Sequence, residues 1–180
     1  MLRFITGLLF LFIFKQGVAQ NERWTLNTEK SVISYSANHL LHPWEGTNQN
    51  VKGILLIHPD EKEIKELAVL TLVRDFDSKN SGRDAHALEV LEALSFPEVR
   101  FYSNLTENKK DSILIHGKLD FHGVLKNHTI VAHQKKTPQG IVLKGSFKIK
   151  PTDFGIELPS FMMVKIDNLL SFKFELEFTK

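Results

Sequence analysis

The chain of 180 residues contains no cysteine. That excludes a disulfide framework, a thiolate metal site and a lipidated N-terminal cysteine. It also lacks a run of roughly 20 apolar residues, the length a bilayer-spanning helix needs. The only long apolar stretch is Phe4 to Phe14, broken by Thr6 and Gly7. Charge of one sign is missing as well, with 23 Lys and Arg against 21 Asp and Glu. No basic stripe marks an electrostatic footprint for nucleic acid. No Gly-x-Ser-x-Gly elbow is present, so a triad written from Ser78 or Ser81 with His86 and Asp84 has no support, and no enzyme activity is expected. Internal repeats, low-complexity segments and linkers are also absent, which leaves one domain.

What is there begins with residues 1–19. Arg3 supplies a positive start, the apolar run follows, and Gly17-Val18-Ala19 gives a small-residue ending. This pattern predicts a cleaved signal peptide, with a mature domain over residues 20–180 that is periplasmic or secreted. Removing Arg3 and Lys15 leaves 21 basic residues against 21 acidic ones, so the mature chain is formally neutral.

The rest of the chain alternates. Ser31 to Ala37 places Ile33, Tyr35 and Ala37 on one face, and Leu67, Val69, Thr71 and Val73 share a face further on. In the last strand Leu170, Phe172, Phe174, Leu176 and Phe178 oppose Ser171, Lys173, Glu175 and Glu177. Pro43 and Gly46 predict a loop or a broken strand for Asn38–Gly46, and Gly53 a bend or bulge. Eight to ten short strands joined mostly by hairpins predict an all-β fold, an antiparallel barrel or sandwich, with closure favoured because it removes sheet edges. Phenylalanine is abundant, at 14 residues. In an eight-stranded barrel these rings either fill the interior or line a pocket for a small ligand, and periodicity does not separate the two.

One stretch departs from the strand pattern. Ser78 to Phe101 reads as a polar turn over Ser78–Gly82, a charged knot of Arg83, Asp84 and His86, a short helical stretch to Ala93, and Phe96-Pro97 leading into a strand. Arg83 and Asp84 suggest a latch bracing this insertion, because buried charges need partners. His86 suits either a latch or a ligand headgroup.

These residues also carry a resemblance. Ser78-Lys79-Asn80, Arg83-Asp84, His86-Ala87-Leu88 and Phe96-Pro97-Glu98-Val99-Arg100-Phe101 resemble the YceI-like family of polyisoprenoid-binding, lipocalin-like exported proteins. Ser31–Tyr35, His39, Gly46 and Gly53 upstream, and Ile115–Leu119, Gly123-Val124, Lys126 and Asp153-Phe154-Gly155 downstream, follow in the matching order from Trp24 to Phe178. Two departures stand out: Asn27 replaces the usual Asp, and Leu119-Asp120 with Gly123-Val124-Leu125 replaces a Leu-Thr and Gly-Val-Thr phrase.

The resemblance implies an extended antiparallel barrel with a long apolar tunnel for an amphipathic lipid; it does not imply a catalytic activity, and no cofactor is expected. His39, Asp84 and His86 are expected at the headgroup, and Leu88, Leu91 and Phe154 as lining near the mouth. A membrane-associated donor or acceptor of the lipid and a homodimer are further expectations. Two rival readings stay open: a metal- or tetrapyrrole-binding protein using His39, His42 and His86, and a stress-response interaction module whose barrel is solid.

Overall fold

A computed structural model describes residues 20–39, 42–60, 63–109, 112–161 and 163–180, the side chains of His42 and Phe161 excepted. The expected signal peptide lies outside the described residues. The strands are β1 (Glu22–Leu26), β2 (Val32–His39), β3 (His42–Asn48), β4 (Lys52–Ile57), β5 (Ile64–Leu72), β6 (Glu98–Asn108), β7 (Ile113–Phe121), β8 (Val124–Lys136), β9 (Gly140–Ile149), the short hairpin β10 (Ser160–Phe161) and β11 (Val164–Lys165), and β12 (Leu170–Thr179). Among the described residues one α-helix, α1 (Ser81–Val90), interrupts the series.

The strands close an antiparallel barrel of eight, in the order β1-β4-β5-β6-β7-β8-β9-β12, with β12 returning to β1. Closure leaves few edges unpaired. The return is brief, through Thr25↔Thr179 and Leu26↔Phe178. Along its first half β12 pairs instead with β2, from Ser171↔Ser36 to Glu175↔Val32, and β3 adds outside β2. The barrel is thus closed by β1 at one end and by the β2–β3 hairpin at the other.

The two ends differ inside. Around the β1–β4 end, Leu55, Ile57, Ile64, Ile113, Ala132 and Phe178 are at most 2% exposed and fill the interior. Gly53 belongs to this packing. A Cβ there would stand 3.0 Å from the Ala68 carbonyl and 3.2 Å from the Phe178 ring, so the glycine marks close approach and not the bend its sequence suggests. The ladder's irregularity falls at Leu56 and Ile57.

At the other end three connections gather: 73–97 between β5 and β6, the tight turn His122-Gly123 between β7 and β8, and 150–169 between β9 and β12. The connection 73–97 leaves and rejoins the sheet at one place, since Leu72 pairs with Glu98 and the Val73 N–H donates to the Pro97 carbonyl at 2.9 Å. It also closes the gap beside β3. Thr47 and Asp77 exchange backbone hydrogen bonds of 3.0 Å, and the buried Asn48 amide donates to the Leu72 carbonyl.

Two sequence expectations change here. Residues 42–48 form a strand, with Asn38↔Pro43 and Tyr35↔Gly46 in register. Proline is tolerated because β3 is the edge strand, where a missing N–H costs no ladder bond. Gly46 leaves room for the Tyr35 ring, which lies against the position a Cβ would occupy. The helix starts at Ser81, inside the expected turn, because the Asn80 side chain caps it by accepting from the Arg83 N–H at 3.0 Å.

Candidate functional site

The β2–β3 end of the barrel is hollow. A cavity of about 240 Å³ is lined by residues of β2, β3, β5 to β9, β12, α1 and the 150–169 connection, and by none of β1 or β4. Its position follows from the pairing of β12. Phe172 and Phe174, which line it, lie on the stretch of β12 paired with β2, whereas Phe178, which does not, lies on the stretch paired with β1.

The floor is aliphatic, with Ile115, Ile130, Leu143 and Leu176 at its deepest part. Aromatic rings make the wall. Phe147 and Phe172 stack with centroids 5.0 Å apart and planes 9° from parallel, and Tyr35 meets Phe76 edge-on at 5.6 Å. Ala87, Leu88, Val90 and Leu91 of α1 close one side. The insertion is therefore a wall of the cavity as well as a cover.

Polar groups collect at one end of this space, where Tyr35, Trp44, Arg74, Arg83, Asp84 and His86 line it. Arg83 and Asp84 do not pair with each other. Both hold Ser78, which is 5% exposed. The Asp84 carboxylate accepts from the Ser78 hydroxyl at 2.5 Å, and its two oxygens lie 3.2 Å and 3.3 Å from the Ser78 backbone nitrogen, whose N–H they share. Arg83 donates from Nε to the Ser78 hydroxyl oxygen at 2.8 Å and from a terminal nitrogen to the Ser78 carbonyl at 2.7 Å. The guanidinium also lies over the Trp44 ring, 5.7 Å from its centroid. Charge-assisted bonds of this kind fix the start of α1 against β3.

The Trp44 indole N–H lies near the Tyr35 oxygen and acts on its ionisation. Burial pushes the Tyr35 phenol above its ordinary range. The Asp84 charge pushes it the same way, while the Trp44 bond and Arg83 oppose. Tyr35 thus stays protonated and offers an O–H at the rim of an otherwise apolar space. His86 is mostly exposed, with Nδ1 3.6 Å from a Glu89 carboxylate oxygen.

Two of the six expected ligand-contacting residues fall elsewhere. His39 lies on the inward register of β2, but its Nε2 is 3.2 Å from the Val164 carbonyl, so the β10–β11 hairpin covers it. Phe154 is buried at 3% and packs on Phe121 at 5.5 Å, with the Lys126 ammonium 5.8 Å from its ring. The β8–β9 ladder stops at Val131↔Ser146, so the strands part above that point, and Phe154 packs beside the split outside the cavity lining. Asp84, His86, Leu88 and Leu91 do line the cavity.

Two histidines beside the cavity lining had no sequence signal. His128 faces inward on β8 against Phe147 at 5.3 Å, and burial pulls its imidazole below the ordinary range. His122 joins all three connections at the open end. Its ring meets Phe96 at 4.5 Å with the planes tilted by 54°, Nδ1 is 3.1 Å from the Phe154 carbonyl, and Nε2 is 2.9 Å from Glu92. Among the described residues no three His, Asp or Glu side chains gather in a way that could hold a metal ion.

An eight-stranded antiparallel barrel, solid at one end and hollow at the other, with an apolar cavity under a polar rim, defines a small-ligand-binding barrel of the lipocalin-like kind. The sequence agrees: the model of the YceI-like domain matches residues 24–178, and the chain belongs to that family. Three solved structures share the fold. BcnA of Burkholderia cenocepacia superposes with a TM-score of 0.76 at 16% identity, over 84% of this chain and 98% of that one. A polyisoprenoid binding domain from Saccharophagus degradans, implicated in plant cell wall breakdown, gives 0.69 at 12% identity, over 87% and 97%. The YceI protein of Campylobacter jejuni gives 0.65 at 20% identity, over 75% and 84%. No curated protein matches the sequence.

Proposed function

We propose that this protein is an exported, non-catalytic carrier that sequesters an amphipathic lipid, of isoprenoid or fatty type, by burying its chain in the cavity and leaving its headgroup at the rim. The observation that carries this reading is an apolar cavity of about 240 Å³ with its polar groups gathered at one end. An apolar void of about 150 Å³ already stays dry and takes up a small hydrocarbon. Each methylene moved from water into such a space contributes about 0.8 kcal/mol, so a chain of modest length is held without covalent chemistry. Tyr35 and Arg83 supply donors at the rim, which suits a headgroup bearing carbonyl or acidic oxygens. The polyisoprenoid-binding relative from Saccharophagus degradans supports the choice of ligand class. Export places such a carrier in the periplasm or outside the cell, with its lipid donor or acceptor in a membrane.

The test is native mass spectrometry of the mature protein purified from its own host, followed by solvent extraction and analysis of the extract. One lipid per chain is expected, and the mature chain should begin at Gln20. A clean extract, together with failure of the delipidated protein to bind a fluorescent fatty acid, would overturn the proposal.

A further inference from the structure

Eight large apolar side chains among the described residues are exposed, and five of them lie at the hollow end of the barrel. Leu94 follows α1 and is 103% exposed, and Met163 is 99% exposed at the tip of the β10–β11 hairpin. Val164, Leu169 and Leu125, the last on the outer face where β8 begins, complete the set. The other three, Tyr102, Leu105 and Val131, sit on the barrel wall. Both Leu94 and Met163 belong to connections whose other residues line the cavity: Leu88 and Leu91 in one, Leu158, Pro159 and Ile166 in the other. The protruding apolar groups therefore ring the cavity mouth.

Met163 is also misplaced by the rules of turn chemistry. It occupies the left-handed region, at φ 63°, in the tight turn closed by Phe161↔Val164. Glycine or asparagine takes that conformation with least strain. Neither the turn nor the core explains a methionine there, and backbone strain that presents an exposed apolar side chain points to a use outside the folded chain.

We infer that the hollow end docks on the surface of a lipid bilayer, inserting Met163 and Leu94 between headgroups so that the cavity opens directly onto the acyl region. The choice of a bilayer as occupant rests on the lipid-carrier reading above, since the mouth these side chains surround leads into the apolar cavity. Charge defines the kind of surface. The connections 73–97 and 150–169 carry eight carboxylates against five Lys and Arg, so attachment is apolar and not an attraction to anionic lipid. A polybasic membrane site would show the reverse balance.

The experiment is co-sedimentation of the mature protein with zwitterionic phosphatidylcholine vesicles, beside binding of a soluble fluorescent fatty acid in the absence of vesicles. Met163→Asn suits the turn and leaves its backbone unstrained, and Leu94→Ser removes the second anchor. Each should weaken vesicle partition by about tenfold, the pair by about 100-fold, as expected for returning one or two apolar side chains to water. Fatty-acid binding should not change, and Leu105→Asn on the wall should leave both readouts as they are. Raising salt or adding anionic lipid should not strengthen attachment. Wild-type protein that binds the fatty acid but not vesicles overturns the docking inference and leaves the carrier reading standing. Protein that binds vesicles through Met163 but takes up no fatty acid overturns the carrier reading and leaves docking. Docking is also overturned by variants that partition like wild type, by attachment that needs anionic lipid and is lost in salt, or by a stable dimer in sedimentation velocity that dissociates on Met163→Asn.

Discussion

Replacing Ala37 by leucine should stabilise the delipidated protein, whereas the same change at Ala132 should destabilise it. Both alanines are almost fully buried on inward faces, Ala37 at 2% and Ala132 at 0%. Ala37 lines the cavity and Ala132 does not. Leucine adds three carbons. Moved from water into the void, they are worth about 2.4 kcal/mol at about 0.8 each, less roughly 0.5–1 kcal/mol of lost rotamer freedom. The net gain at residue 37 is therefore about 1.5 kcal/mol. At residue 132 the carbons have nowhere to go, because the sealed Ile113 is directly opposite and the space beside Gly145 on the other ladder is taken by the Phe174 ring, and overpacking costs about 1–3 kcal/mol. Urea unfolding followed by tryptophan fluorescence measures both. With a slope near 2 kcal/mol/M, the midpoint should rise by roughly 0.7 M for Ala37→Leu and fall by roughly 0.5–1.5 M for Ala132→Leu, with unchanged slope. Ala37→Leu also takes the space of about three ligand methylenes and should weaken fatty-acid binding about 50-fold. If both variants lose stability by the same amount, the hollow end is not hollow in solution and the site argued above does not exist.

Two further outcomes follow from the rim and wall. Asp84→Ala strands the N–H and hydroxyl of the buried Ser78, so stability should fall by about 2–3 kcal/mol. Hydrogen exchange should accelerate over residues 73–97 more than over β6 and β7, and uniform acceleration would deny the local anchor. His128 titrates below its ordinary range because burial disfavours its charged form. The unfolded chain then binds the extra proton, so stability contributed by neutral His128 is complete above the unfolded imidazole pKa of about 6.5 and is lost as pH falls through that value. His128→Phe should flatten the slope of unfolding free energy between about pH 7 and 5, and an unaltered slope would remove the burial argument.

The faces of the strands were legible in the sequence because period-two alternation reports them directly. Ile33, Tyr35 and Ala37 share the inward face of β2, and Phe172, Phe174 and Leu176 that of β12, as the alternation indicates. What the alternation does not carry is which strand pairs with which. The hollow end arises where β12 exchanges β1 for β2, a pairing between residues more than a hundred apart in sequence. Local patterns are the same on either side of that exchange. Trp44 was obscured because Pro43 and Gly46 count against a strand, and only the edge position of β3 makes them compatible with one. Phe154 reads as lining because it is aromatic and near the mouth. That it packs beside a split between β8 and β9 depends on where their ladder stops. His122 and His128 are isolated histidines in the sequence, and their contacts come from elements far along the chain.

The division of the barrel into a solid and a hollow end has an energetic reason. An unfilled apolar cavity of about 240 Å³ costs on the order of 6 kcal/mol relative to a filled one, at about 24 cal/mol per Å³. A domain of this size has only about 5–15 kcal/mol of net stability. The β1–β4 end, where Leu55, Ile57, Ile64 and Phe178 are sealed from water, supplies the packing that lets the other end remain open. The insertion 73–97 is pinned to β3, β5 and β6 by hydrogen bonds at its neck and by the bonds of Ser78, which hold it in place as a wall of the open end. A ligand that fills the void returns much of that cost and binds only the folded state, so stability rises with ligand concentration by RT ln(1 + [L]/Kd). On the carrier reading, the same cavity that lowers the stability of the barrel is thus the source of its affinity for an apolar chain.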